Sequence, residues 1–524
     1  MAAGLWHYLG QPIERDPLTR LRERVQRRDE SFLHLVRDAA YGFPESSLCL
    51  MLRGAKCEYS DLEAMVRSRG LDSTLRQLCD AGVYLTHNEL KGKEPLVRHG
   101  REIPGGERNF RNPLVRGRVE GRSSGSRSGG RGTPTPKSTE FQVYREAHDC
   151  LWTEEFHLAS AEWLQVRQIL PSNAGLSSAL RAARLGWPMS RWFTVPTPLV
   201  ESGHYRMATA AMIHLARLRG LRVPSPETLP PNDFSTVARH IAGKKIAVFA
   251  FASPAVRVAS AALDLGLDLS GTTFFSGGEA TSPAKRAIVA RSGARMSTIY
   301  HISEVGPVGY GCRHMQCNDV HLLMDSVAAI TRRRPAPLAG GEPVDALAFT
   351  TLLPFAPRVL INAEMDDMGS VETGVRCDCT FGRLGMTTVI RDIASFGKLT
   401  GQGMTLYGVD VLRILEQALP ERFGGGPGDY QLVERDLGAQ TEVELWVSPR
   451  VVPDRVDLAA IRDYFVERLH DYYGGRMAAQ VWAHSGTLRA VRREPVPTYS
   501  GKILPLTLIG QQMTGQQKEQ VTAR

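Results

Sequence analysis

The chain has 524 residues, 42% of them hydrophobic and 23% charged, with a formal net charge of +9. That length predicts two or more domains, and the composition is that of an ordinary globular protein, which excludes fibrous and disordered classes. No apolar run is long enough to span a bilayer, and residues 1–7 lack the basic and apolar regions of a secretory signal, so a cytoplasmic protein without membrane attachment is expected. The positive charge is modest for this length. A pocket for a small polyanion accounts for it as readily as a phosphate backbone does, so no nucleic-acid partner is expected. Eight cysteines scattered through so long a chain do not form a secreted disulfide framework.

Residues 1–95 alternate apolar and charged positions at helical spacing over 18–25, 32–40 and 61–66, which predicts helices with no visible chemistry. Residues 101–136 change character. Eight arginines against three glutamates between Arg101 and Arg131 surround Ser123, Ser124, Gly125 and Ser126. Two readings fit this stretch: a flexible Gly/Ser linker, or a loop whose backbone N–H groups and hydroxyls bind phosphate oxygens. Residues 141–240 read as mainly helical, most strongly over 207–219. A buried strand follows at 245–251, a helix at 254–265, a strand at 272–275, a helix at 282–292 with Pro283 at its first position, and a strand at 296–300. Such alternation predicts an α/β fold with a largely parallel sheet under helical cover.

The last two strands end in polar clusters, Gly277-Gly278-Glu279 and Tyr300-x-x-Ser303-Glu304. Open α/β sheets bind ligands at the carboxyl ends of their strands. Paired glycines let backbone approach a flat ligand, Tyr300 offers a stacking face, and Glu304 can hold a hard cation through oxygen. The pair reads as a nucleotide–magnesium site.

Gly-Gly-Glu at this spacing from Tyr-x-x-Ser-Glu resembles the adenylate-forming superfamily of acyl-CoA synthetase-like ligases, particularly its phenylacetate–CoA ligase branch. The resemblance covers roughly residues 120–510. It implies a large domain over residues 1–396, with parallel or mixed sheets covered by helices, and a small mobile α+β lid over 397–524. Ser123, Ser124, Gly125 and Ser126 then match the loop that grips the β- and γ-phosphates, with about two extra residues near 127–129 and the loop's lysine late, at Lys137. Phe251, Ser253 and His204 fall where relatives build the acyl pocket, as do Trp187, Trp192 and Phe193, although aromatic residues there also suit a core. Asp367, with Asp366 as substitute, matches the aspartate that accepts both ribose hydroxyls, which only an ionised carboxylate can do. Lys398 stands where relatives carry an arginine near the ribose, and Thr400-Gly401 replaces an acidic pair at the hinge. Lys502, in Gly501-Lys502-Ile503, matches the catalytic lysine that a closing lid brings to the charge developing on carboxylate and α-phosphate.

Residues 305–311 are rich in glycine and read as a loop. Cysteines and histidines follow: Cys312, His314, Cys317, His321, then Cys377 and Cys379. Thiolate and imidazole are the ligands zinc prefers. The branch's Cys…His…Cys-x-Cys set falls on Cys312, His321, Cys377 and Cys379, with His314 or Cys317 as substitutes. Ordinary buried thiols are the alternative. Strands are expected at 348–353, 358–362 and 387–390, with a loop carrying the two aspartates after residue 362. The carboxyl-terminal part alternates a helix at 411–419, a strand at 442–447, a helix at 457–470 and a strand at 486–491.

The resemblance implies an ATP- and magnesium-dependent enzyme with a structural zinc. It activates an aryl or fatty acid to an acyl-AMP and passes it to a thiol, with CoA as co-substrate. Some relatives instead activate nitrite and pass it to an aryl amine, and the same nucleotide site serves both chemistries. Two other classes are a non-catalytic relative and a basic nucleic-acid-binding protein. Intact Glu304 and Lys502 speak against the first.

Overall fold

The computed structural model describes residues 2–115, 119–122, 134–170, 173–194, 203–230, 233–277, 283–315, 318–335, 343–395, 399–401, 404–406, 411, 414–424, 429–436, 441–449, 456–471, 479–480, 482, 487–495 and 506–509. The amino-terminal ninety residues form a run of short helices from Ala2–Leu9 to His87–Lys91. Local chemistry starts several of them. Asp16 accepts the Thr19 N–H ahead of Pro17, Ser46 accepts that of Cys49, and Thr86 and Glu89 cap each other's backbone.

The centre is a twelve-stranded sheet. Its strands in chain order are β1 (Glu162–Val166), β2 (Met189–Thr194), β3 (Pro226–Thr228), β4 (Ile246–Ala250), β5 (Thr272–Gly277), β6 (Arg295–Ile302), β7 (Gly306–Tyr310), β8 (Val320–Leu322), β9 (Val327–Pro335), β10 (Pro343–Thr351), β11 (Ala363–Glu372) and β12 (Val389–Ser395). Their spatial order is β9-β10-β11-β12-β8-β7-β6-β5-β4-β1-β2-β3. The half from β3 to β6 is parallel, as the strand–helix alternation predicts, and the other half is antiparallel.

Both faces of the parallel half are buried. On β4, Ala247 and Phe249 face one apolar cluster while Ile246, Val248 and Ala250 face another, the period of two that a covered strand requires. Helices α1 (Thr139–Glu155) and α2 (Asn173–Arg184) pack on the first face. Helices Ser235–Ile241, Ala252–Asp264 and Pro283–Arg291 cover the second.

Several sequence expectations are corrected. Residues 141–240, expected to be mainly helical, also carry β1, β2 and β3. The glycine-rich residues 305–311 form a strand, β7, rather than a loop. A Cβ on Gly309 would stand 2.4 Å from Val320 Cγ2, so the glycine permits close pairing with β8 instead of breaking the strand. Residues 358–362 are not a strand, and only Arg358 bridges, to Arg111. The expected loop with two aspartates is instead β11. Asp366 takes φ +58° there, at a shift in register against β10, so the pair sits on a bulge that re-aims side chains.

A second, four-stranded sheet consists of β13 (Tyr430–Asp436), β14 (Thr441–Val447), β15 (Leu488–Arg492) and β16 (Leu506–Ile509), in the order β15-β14-β13-β16. With helix Leu458–Leu469 it encloses its own apolar cluster, including Tyr430, Leu445, Phe465 and Trp482. The helix expected over 411–419 is split into a wide turn at Ile414–Ala418 and a helix at Leu419–Phe423, which has a proline in its first turn. Among the described residues, no helix is long and apolar enough to cross a membrane.

Candidate active site and metal centre

The ends of β5 and β6 meet as their sequences require. Gly277 pairs with Ile299, and a Cβ on it would stand 2.5 Å from the Ile299 carbonyl oxygen, so this position tolerates only glycine. Gly278 and Glu279 lie outside the described residues, as do Ser123, Ser124, Gly125, Ser126, Lys398, Lys502, Cys317 and the side chain of Ser253.

Tyr300, on β6, donates its hydroxyl to Asp367 Oδ2 at 2.8 Å, joining two motifs that are 67 residues apart. Four strand spacings separate β6 from β11 in the sheet order. A flat sheet would set them roughly 19 Å apart, so the antiparallel half must curl back over the end of the parallel half. Tyr300 also meets Phe349 of β10 edge-on, with centroids 6.0 Å apart. Burial, and then the charge of Asp367, push the Tyr300 phenol well above its ordinary range, so it stays a hydrogen-bond donor. Asp367 is buried and Asp366 half-buried; Ser303 is exposed in the turn after β6.

Glu304 is buried, and its carboxylate is already engaged. Lys91 Nζ donates to its Oε1 at 2.5 Å and also pairs with Glu107, while Arg358 pairs with Glu107 and reaches the Glu304 carbonyl oxygen. Two cations and two carboxylates thus share one buried cluster. Burial raises the Glu304 carboxyl, but the charge of Lys91 and then that of Arg358 outweigh it and hold it at about 2. Sequence reasoning missed Lys91, Glu107 and Arg358. Lys91 lies 213 residues from Glu304 at the end of a five-residue helix, and no spacing rule links them.

Of the pocket expectations, Phe251 lies just past the end of β4, with the Arg167 guanidinium 5.8 Å from its ring. His204 is exposed on the first turn of helix Gly203–Leu218, its ring beside Tyr205. Trp192 and Phe193 are buried core residues of β2, and Trp187 stacks on Trp163 at 4.0 Å.

The four proposed metal ligands do come together. One donor atom from each of Cys312, His321, Cys377 and Cys379 lies within 4.8 Å of every other. Cys312 Sγ is 3.9 Å from Cys377 Sγ, and Cys379 Sγ is 3.2 Å from His321 Nε2. A zinc tetrahedron with bonds of about 2.3 Å to sulfur has edges of roughly 3.8 Å, so the set fits that ion. His321 Nδ1 is 2.9 Å from the Met386 carbonyl oxygen. Donation of its proton there leaves Nε2 as the free lone pair facing the thiols. A Cβ on Gly382 would stand 1.9 Å from the Cys377 carbonyl oxygen, so the Cys-x-Cys turn requires that glycine. His314 is exposed and pairs with Asp378, outside the cluster.

The architecture is a known one: the chain has the fold of a solved CoA ligase. It is similar over 97% of its length, and 93% of the other chain, to 2-hydroxyisobutyryl-CoA ligase in complex with 2-HIB-AMP and CoA in the thioesterification state, at TM-score 0.52 and 14% identity. Two further similar structures are a malonyl-CoA ligase with methylmalonyl-CoA and AMP bound (TM-score 0.39, 15% identity, covering 71% of this chain and 70% of that one) and o-succinylbenzoate CoA synthetase from Bacillus subtilis (0.41, 11%, 74% and 68%). No family model and no curated protein matches the chain.

Proposed function

We propose that the protein is an AMP-forming ligase of the phenylacetate–CoA ligase-like branch, which activates a carboxylic acid with ATP to an acyl-AMP and passes its acyl group to the thiol of CoA, with AMP leaving. The observation that carries this reading is the Tyr300–Asp367 hydrogen bond, which draws two nucleotide motifs together at the carboxyl end of β6. The acid's carboxylate oxygen attacks the α-phosphorus as the bond to pyrophosphate breaks. Asp367 accepts ribose hydroxyls, and the face of Tyr300 carries the adenine. Ser123, Ser124, Gly125 and Ser126, with Gly278 and Glu279, hold the phosphates and the base. Lys398 supports the ribose. Lys502, on a lid over residues 397–524, neutralises charge that develops between carboxylate and α-phosphate, and its withdrawal admits the thiol.

Magnesium on the ATP phosphates supplies further charge neutralisation, and Glu304 is the carboxylate that would hold it, in competition with Lys91. Cys312, His321, Cys377 and Cys379 would hold zinc, which would clamp the β7–β8 region to the 377–379 turn.

The test is pyrophosphate release across fatty acids, aryl acids and nitrite, with and without CoA. Acid-dependent release with thioester formed from CoA is the expected result, and Lys502→Ala should abolish release while ATP still binds. Release with nitrite and an aryl amine alone would replace this reading with the diazo-forming one.

A further inference from the structure

A second buried charge cluster lies on the α1 side of the sheet, beneath the carboxyl ends of β1 and β4. Arg145 and Asp149 stand one turn apart on α1, Arg181 comes from α2, and Arg167 is the first residue past β1. Arg181 Nε donates to Asp149 Oδ2 at 2.5 Å, and its Nη1 is taken by Ser177. The neighbouring Arg184 and Glu146 satisfy each other. Asp149 is therefore spent on Arg181, while Arg145 and Arg167 have no carboxylate in ion-pairing distance among the described residues. Arg145 is only 9% exposed, and the Nε atoms of both Arg145 and Arg167 are buried without a hydrogen-bond partner.

A guanidinium nitrogen removed from water without a hydrogen-bond partner is costly, and an anion on the remaining N–H groups would offset part of that cost. Burial and then the charge of Arg181 pull Arg145 down to about 10 and Arg167 to about 9, yet both remain cationic at neutral pH. The Arg167 guanidinium lies 5.0 Å from the Phe249 ring centre and 5.8 Å from that of Phe251. The rings hold it by their faces and leave its N–H fork for a planar oxyanion. The place is the ligand-binding end of an open α/β sheet. Phe249, Trp152 and Phe275 supply an apolar wall beside it.

We propose that Arg167, backed by Arg145, is a specificity-determining residue that binds a second carboxylate on the acid substrate, so that the enzyme's substrate is a compact dicarboxylate with an apolar spacer. This rests on the acid-activating reading above and deepens it. One carboxylate goes to the α-phosphate. The other forms a bidentate pair with Arg167 and completes the charge count that Asp149 leaves open.

The test uses the full chain and matched acids: glutarate against butyrate, and 4-carboxyphenylacetate against phenylacetate, each in ATP-dependent pyrophosphate release. Dicarboxylates should be preferred by about 100-fold in kcat/KM, and Arg167→Met should collapse that ratio toward one, chiefly through KM. Arg167 is half-buried, so the variant is expected to fold, and a thermal melt checks this. In parallel, glutarate without ATP should raise the wild-type melting midpoint and leave that of Arg167→Met unmoved. If no acid releases pyrophosphate, a midpoint rise that depends on Arg167 still supports a dicarboxylate site and sinks only the ligase reading. Equal use of mono- and dicarboxylates by the wild type overturns the proposal. So does an equal loss of both in Arg167→Met, which would place Arg167 on the reacting carboxylate.

Discussion

Replacement of Lys91 by methionine tests whether the buried cluster around Glu304 is a balanced charge unit. The Lys91 side chain is 7% exposed and that of Glu304 12%, so the pair has little access to water. Glu304 is held at about 2 against an ordinary 4.5, which corresponds to about 3 kcal/mol of stabilisation of its ionised form. Because its folded value is depressed, that stability is fully present above pH 4.5 and is lost as pH falls toward 2. Lys91→Met removes the dominant cation and leaves two buried carboxylates facing Arg358 alone. Loss of one partner from a buried pair costs about 3–5 kcal/mol, which should lower the melting midpoint at pH 7 by on the order of 5 °C. The sign of the pH dependence is then reversed. Burial without Lys91 raises the Glu304 carboxyl above 4.5, so the variant regains stability as pH falls from 7 to 5, while the wild type stays flat with respect to this group. The double variant Lys91→Met/Glu304→Gln should recover much of the midpoint. Calorimetry at pH 5, 6 and 7 on all three proteins checks this. A single variant as stable as the wild type, or a double variant no better than the single, refutes the argument.

Two further expectations concern the nucleotide and the metal. Tyr300→Phe deletes the hydroxyl that orients Asp367 and should weaken ATP binding by roughly 5-fold, the worth of about one net hydrogen bond. Asp367→Ala should weaken it by more than about 10-fold, since two ribose hydroxyls lose their acceptor, and calorimetric titration with ATP that finds both variants unchanged would remove the pair from the nucleotide site. Metal analysis should find one zinc per chain, lost in Cys379→Ser together with a fall in melting midpoint. A wild type with no zinc, and with a midpoint indifferent to a chelator, would return these cysteines to the status of buried thiols.

Part of the parallel half was legible because buried strands and covering helices differ in period: Ile246–Ala250 and Thr272–Gly277 fall where their β-branched and aromatic runs lie, whereas Glu162–Val166, Met189–Thr194 and Pro226–Thr228 lie in a stretch that reads as mainly helical. The antiparallel half was less so. In Gly306–Tyr310, Gly309 serves close strand contact, and composition alone reads the glycines and the proline there as breakers. In Ala363–Glu372 two adjacent aspartates look like a solvated turn, whereas a bulge with Asp366 at positive φ turns Asp367 inward. The cluster of Cys312, His321, Cys377 and Cys379 was expected from the resemblance to the ligase branch, with His314 and Cys317 as substitutes, and Gly382 contributes a backbone contact that no pattern shows. Ion pairs between distant segments, such as Lys91 with Glu304, leave no trace in local sequence because either side chain alone reads as an exposed charge.

The two buried clusters share ingredients and differ in arithmetic. Around Glu304, the cations Lys91 and Arg358 face the carboxylates Glu107 and Glu304, so the charges cancel and hydrogen bonds link all four. A cluster closed in this way has no need of an anion. It can exchange one cation for another, and a metal ion on Glu304 is the exchange its oxygen donors suit. Beneath β1 and β4, three guanidiniums face the single carboxylate of Asp149, and the count stays open by two. An open positive count in a place poor in water attracts an anion of matching shape, because the field there is little screened. On the reaction proposed above, the closed cluster would serve the phosphate end and the open one the acid. Neutralising the open cluster by Arg145→Met should make the protein more stable to heat in the absence of substrate, whereas Lys91→Met should make it less so. Thermal melts of the two variants beside the wild type read the opposed signs directly, and a fall in midpoint for both would mean that Arg145 is held by packing and not in wait of an anion.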